Sequence, residues 1–427
     1  MSNAPKFSTL AVHAGAAPDP STGARITPIY QTSSYVFNDA DHAAALFGLE
    51  AFGNIYTRIM NPTQAVLESR VAALEGGTAA LAVASGHAAQ FLVFHTLLES
   101  GDEFVAGRQA YGGSINQFNH SFKKFNWNVV WADATDPASF EKAITPKTKA
   151  LFVESLANPS GVVIDLAAIG AIAKKAGIPL IVDNTMATPY LVQPKIHGAD
   201  IIVHSLTKFM AGHGNSIGGI LVDCGTFDWL KSKHRYKTLV EPNSSYNGMI
   251  LAETFGNFAF AIAARVMGLR DIGPAISPFN AFLILTGIET LPLRMRQHCD
   301  NSLAVATYLS KHTKVAWVNY SGLPTNANHA IQQRISPKGA GAVFTFGLKG
   351  GYEAGVNLVS KLKLFSHLAN IGDTRSLVIH PASTTHRQLT DEQKKSAGAG
   401  PDTVRLAIGI EDKDDIIGDL EQALAAI

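Results

Sequence analysis

Five short stretches of the chain carry side chains that could do chemistry together. They are Ser85-Gly86-His87, Glu154 with Asn158-Pro159, Asp183-Asn184, His204-Ser205-Leu206-Thr207-Lys208, and Gly212-His213-Gly214. Free backbone N–H groups at a helix start bind anions such as a phosphate. A carboxylate keeps a pyridine nitrogen protonated, so that the ring can draw in electrons, and a lysine forms a Schiff base with an aldehyde. An anion site, an acid, two hydroxyls and a lysine together suit one cofactor, pyridoxal 5'-phosphate. Singly, each is ordinary: a strand-end aspartate is commonly a cap or ion-pair partner, and a lysine after a strand is commonly solvated. The combination is what points to the cofactor.

Most of these stretches follow a short apolar run. Residues 81–84, 103–106, 129–132, 150–153, 180–182, 201–203 and 220–222 are rich in Val, Ile, Leu and Ala without clean alternation. That is how a parallel sheet covered on both faces reads, and segments such as 166–175 supply helical crossovers. Ligands of such sheets bind at the carboxyl ends of the strands, where the reactive residues fall. Asn61-Pro62-Thr63 reads as a helix start. Val66, Leu67, Val71 and Leu74 follow at helical spacing, and Gly76-Gly77 stops the run. We expect an α/β fold in which residues 61–285 form a large domain with a mostly parallel seven-stranded sheet. Residues 1–60, broken by Pro5, Pro18, Pro20 and Pro28, read as an irregular arm lying over a neighbouring domain or subunit. Residues 286–427 read as a smaller α+β domain. In and near it, 284–308 is expected as one long helix, 315–318, 342–346 and 376–379 as strands, and 414–425 as a helix.

Composition narrows the partners. Of 427 residues, 46% are hydrophobic and only 16% charged, which favours a large packed enzyme that hides further surface in an oligomer. A net charge of +1 leaves no basic excess for nucleic acid or an anionic membrane. Two cysteines, Cys224 and Cys299, cannot build a disulfide framework and suit a reducing, cytoplasmic setting. No signal pattern opens the sequence, and the apolar stretch 79–98 is interrupted by Ser85, His87, Gln90 and His95, so no membrane span is expected. His380, His386, His204 and His213 match no zinc spacing and no cysteine joins them, so no metal is expected. No G-x-G-x-x-G follows the first strand, which argues against a dinucleotide fold.

Across nearly its whole length the chain resembles the Cys/Met-metabolism family of pyridoxal-phosphate enzymes. The motifs that carry the resemblance are Tyr56-Thr57-Arg58-Ile59-Met60-Asn61-Pro62-Thr63, Tyr111-Gly112-Gly113, Val182-Asp183-Asn184-Thr185, Ser205-Leu206-Thr207-Lys208 and Val404-Arg405-Leu406-Ala407-Ile408-Gly409-Ile410-Glu411. The resemblance implies the pyridoxal-phosphate fold type I and a homotetramer, a dimer of dimers with shared active sites. It implies Lys208 as Schiff-base lysine and proton shuttle, Asp183 on the pyridine nitrogen, and Tyr111 stacked on the ring. Ser85, Gly86, His87, Ser205 and Thr207 would hold the phosphate, with Tyr56 and Arg58 reaching it from the neighbouring subunit. Asn158 would sit near the ring hydroxyl. Arg405 would clamp the substrate carboxylate, with Asn370 and Tyr56 also at the substrate.

Within the family, three features point to the sulfhydrylase branch. The methionine γ-lyases carry a cysteine where this chain has Gly113. Members that handle cystathionine carry an acid where this chain has Arg375, and an arginine would repel the ammonium of cysteine. Segment 239–278 is longer than in the cystathionine enzymes and, with 380–386, looks like that of the sulfhydrylases. The expected reaction joins O-acetyl-L-homoserine and sulfide to give homocysteine and acetate. Succinyl in place of acetyl, another sulfur donor, a cystathionine γ-synthase, a γ-lyase, or a silent binding relative stay open at this stage.

Overall fold

A computed structural model describes residues 4–427 apart from 233, 386, 388–393 and 395–397. The first segment to fold back on the body is already helical. Helices α1 (Phe7–His13) and α2 (Ala40–Phe47) lie in the stretch expected to be irregular. Each has only about two turns, too short for a period to stand out. Ala11 of α1 is fully buried in the main core. Helix α3 (Pro62–Glu75) begins as the sequence suggests: the Asn61 side chain accepts from Thr63 N–H, Pro62 occupies the first turn, and Gly76 ends it in the left-handed region at φ 68°.

Seven strands follow: β1 (Ala79–Val83), β2 (Glu103–Gly107), β3 (Asn128–Ala132), β4 (Thr148–Glu154), β5 (Leu180–Asp183), β6 (Ile201–Ser205) and β7 (Gly219–Asp223). They lie in the order β1-β7-β6-β5-β4-β2-β3. Strands β2 to β6 pair in parallel, while β7 runs against both β1 and β6. The apolar runs are legible because both faces of the sheet are covered, each by its own buried cluster, except at the edge strand β3, which is mostly half-buried. Helix α4 (Gly86–Leu97) starts directly after β1, α5 (Gly112–Asn116) follows β2, α6 (Pro137–Ala143) follows β3, and α7 (Leu166–Ala176) connects β4 to β5.

Where one long helix was expected, there are two, Pro278–Glu289 and Leu291–Lys311. Pro292 has no N–H to donate to the carbonyl four residues back, and the chain breaks at Thr290. Beyond them β8 (Val315–Asn319), β9 (Val343–Leu348), β10 (Ser366–His367), β11 (Leu377–Ile379) and β12 (Thr403–Ala407) form a second sheet in the order β10-β11-β12-β9-β8. Only the β10–β11 pairing is parallel. Helix Lys413–Ala425 packs on it over a third buried cluster. Strand β12 brings Arg405 towards the carboxyl edge of the large sheet. No described helix is long and apolar enough to cross a membrane.

Candidate active site

The carboxyl ends of β1, β4, β5 and β6 meet the small sheet around a cavity of about 280 Å³. Its lining includes Ser85, Gly86, His87, Tyr111, Asn158, Asp183, Ser205, Thr207, Lys208, Asn370 and Arg405. Residues spread over more than 300 positions of sequence are thus brought together by strand ends and one loop of the second sheet.

The anion end is built by close backbone packing. Ser85 caps α4, its hydroxyl accepting from Ala88 N–H at 3.2 Å. A Cβ on Gly86 would stand 2.9 Å from Ser205 Cβ, and one on Gly219 would stand 2.0 Å from the Ser85 carbonyl oxygen. Glycine at both places lets the start of α4 lie against the end of β6 and the start of β7, which brings the helix start and the residues Ser205 and Thr207 to one cavity. Thr207 is fixed through Gly218, accepting from its N–H at 3.1 Å.

Asp183 ends β5. Its carboxylate accepts from Gln90 Nε2 at 3.1 Å and from Thr185 N–H at 2.9 Å. Across the strand pairing its register partner is Glu154, which is 5% exposed. Burial, then the neighbouring Asp183, pushes the Glu154 carboxyl well above its ordinary range. Glu154 accepts from Tyr111 N–H at 2.5 Å and from Asn158 N–H at 3.1 Å. The Tyr111 ring stands at the mouth, 47% exposed, edge-on to His87 at 5.9 Å.

Lys208 donates from Nζ to Asn370 Oδ1. Burial, then the charge of Arg405, lowers the pKa of its amine. Arg405 donates to the Asn370 carbonyl at 3.1 Å and to Asn158 Oδ1 at 3.4 Å. Its Nε is buried with no partner among the described residues, and burial brings the guanidinium down to about 10. A cation held with an unfilled donor beside a lysine is suited to an anionic ligand. The residues therefore fit pyridoxal phosphate: N–H and hydroxyl donors for the phosphate, a carboxylate for the ring nitrogen, and a buried amine for the aldehyde.

Three residues singled out in the sequence do not line the cavity of their own chain. Tyr56 and Arg58 lie outside the cavity: Arg58 stacks over the Tyr56 ring at 5.4 Å and donates to the Arg270 carbonyl. Arg375 is also absent from the lining. Its side chain is 67% exposed and pairs with Asp373 at 3.0 Å, so the acceptor argument built on its charge loses its basis. Of the histidines, His204 is buried against Glu75 at 2.6 Å, His380 bonds Ser383 and the Pro401 carbonyl, and His386 lies outside the described residues. Sequence reasoning gave no role to Gln90, Ser114, Thr185, Met186 or Ile217, which also line the cavity. For Gln90 there was a signal: it sits one helical turn beyond Gly86-His87, on the face the anion site requires.

A family model for the Cys/Met metabolism PLP-dependent enzymes matches residues 8–425. The chain is 53% identical to an O-acetyl-L-homoserine sulfhydrylase of Leptospira meyeri over 99% of this chain and 97% of that one. It is 48% identical to a homocysteine synthase of Schizosaccharomyces pombe over 98% of each. Among solved structures it is similar to an assigned O-acetylhomoserine (thiol)-lyase of Campylobacter jejuni, with a TM-score of 0.95 and 42% identity. That match covers 98% of this chain and all of the other, whose crystals carry an N'-pyridoxyl-lysine-5'-monophosphate.

Proposed function

The chain belongs to the Cys/Met metabolism family of PLP-dependent enzymes, and from that premise we propose that it replaces the γ-acetoxy group of O-acetyl-L-homoserine by sulfide, giving L-homocysteine and acetate. One observation carries the reading: the Lys208 amine, the Asp183 carboxylate and the unfilled Arg405 donor share one cavity.

The bound cofactor supplies an electron sink for charge developing at the substrate Cα. The protein's part follows from its residues. Arg405 takes the substrate carboxylate on its free donors and orients Cα towards Lys208. Lys208, its amine in the cavity, would be the base that removes the Cα proton. Because its amine titrates below an ordinary lysine, more of it is neutral at a given pH. Asn370 receives the amine through Oδ1. Asp183, held by Gln90 and Thr185, would supply the carboxylate for the ring nitrogen. Tyr111, at the mouth, would cover the ring.

Sulfide suits this cavity for reasons other than Arg375. Among the described residues, the carboxylates in its lining are Glu154 and Asp183, and both are engaged. An amino-acid acceptor would find no free acid for its ammonium. A cysteine at position 113, as in the γ-lyase branch, would place its Cβ 2.4 Å from the Tyr111 ring, so this pose of Tyr111 needs the glycine. The arm carries Val36 at 97% and Phe52 at 73% exposure, near Tyr56 at 41%. Such a stretch favours cover by a second copy, with Tyr56 and Arg58 reaching that copy's phosphate site, in a tetramer of shared sites in the cytoplasm. The test is a homocysteine assay with acetyl- and succinyl-homoserine, each with and without sulfide. We expect homocysteine from the acetyl ester only when sulfide is present. Keto acid and ammonia formed without sulfide would instead identify a lyase.

A further inference from the structure

Glu154 stands out among the cavity residues because its place is costly. It is a buried carboxyl group whose strand-register partner is the half-buried Asp183. Each of the two charges opposes burial of the other. A strand end needing only a cap could use serine or asparagine at far smaller electrostatic cost. What a shorter side chain could not do is span two loops. Glu154 Oε1 takes the N–H of Tyr111, on the connection from β2 into α5, and Oε2 takes the N–H of Asn158, on the loop after β4. Asn158 in turn receives Arg405 on its side-chain oxygen. One carboxylate therefore touches the backbone of the ring-covering residue and, through Asn158, the clamp for the substrate carboxylate.

We propose that Glu154 is a positioning residue of the active site, fixing Tyr111 over the cofactor and Arg405 over the substrate through its two backbone hydrogen bonds. The proposal rests on the roles given above to Tyr111 and Arg405. Its effect should appear in two places at once, because the two oxygens serve different walls of the cavity.

The test uses Glu154→Gln in the cofactor-loaded enzyme. The amide keeps the shape but turns one acceptor into a donor, so it cannot hold both N–H groups. Two readouts are taken: the visible circular dichroism of the bound cofactor without substrate, and KM against kcat for O-acetyl-L-homoserine. We expect a changed dichroic band and KM raised by roughly tenfold or more, in line with small misplacements of binding groups. Glu154→Asp, too short to reach both loops but still carrying two acceptor oxygens, should fall between Gln and wild type, and it stands in for Gln should that variant not fold. An unchanged band with KM within about twofold of wild type, whatever the melting temperature, would make Glu154 a structural cap only. Wild-type enzyme that forms no homocysteine would instead overturn the functional reading, leaving the cofactor dichroism of the variant to judge Glu154 separately.

Discussion

At the scale of single residues, the site works by holding charged groups, partly buried, around one cavity. Asp183 is fixed by Gln90 and Thr185 at the end of a buried Leu-Ile-Val run. Asp183→Asn should still bind cofactor, yet kcat/KM should fall by roughly 10²-fold or more, the scale of losing a charge-stabilising group. Steady-state rates on cofactor-saturated enzyme check this, and a variant within a few-fold of wild type would assign the ring nitrogen another partner. Lys208 offers a pH test. Burial and then Arg405 lower its amine, so in cofactor-free protein its half-modification by an amine reagent should come below the ordinary lysine value of about 10.4. Arg405→Gln removes the cationic neighbour and should move that midpoint up, because a lost positive charge favours the protonated amine. Peptide mapping of Lys208 labelling against pH reads both. Glu154 shows why part of the site was illegible. Its partners are backbone N–H groups, one of them 43 residues away, and backbone donors leave no mark on residue type. Arg375 shows the opposite error, in which a residue of the right charge at the right position turns its side chain to water and to Asp373.

At the scale of elements, the carboxyl edge of the large sheet does the assembling. Apart from the half-buried edge strand β3, its strands were legible because burial on both faces writes continuous apolar runs, and α3 because Asn61, Pro62 and Gly76 mark its ends. Strand β12 was not read as a strand although its Arg405 was singled out, since a charge at the centre of Thr-Val-Arg-Leu-Ala interrupts the run. The break at Thr290 depends on one missing N–H at Pro292, which a hydrophobic pattern does not register. The junction of β7 with the turn before α4 gives an element-scale test. A Cβ on Gly219 would fall 2.0 Å from the Ser85 carbonyl, and backbone cannot yield as a flexible side chain can. Gly219→Ala should push β7 away from the Ser85-Gly86 turn, costing about 1–3 kcal/mol of stability and weakening cofactor affinity together. Thermal melts and cofactor titration should show both losses. A melt and an affinity equal to wild type would mean the anion turn does not depend on this contact.

At the scale of the whole molecule, a single chain leaves Tyr56 and Arg58 outside the cavity and large apolar side chains of the arm exposed. If the sites are shared between copies, Arg58→Ala and Lys208→Ala chains are each inactive alone but complementary together. Dissociated, mixed and reassembled, they should recover part of the activity, because some hybrid sites hold both residues; a mixture that stays inactive would remove Arg58 from the shared site. The central claim is that this cavity delivers sulfide, not an amino acid, to the γ-carbon. The most direct measurement gives the enzyme O-acetyl-L-homoserine with sulfide and cysteine at equal concentration and counts the products. We expect acetate to equal homocysteine and cystathionine together, with homocysteine exceeding cystathionine by well over about tenfold, a barrier difference of at least 1.4 kcal/mol. Cystathionine formed in comparable amount would contradict it and place the chain with the enzymes that join cysteine to homoserine esters.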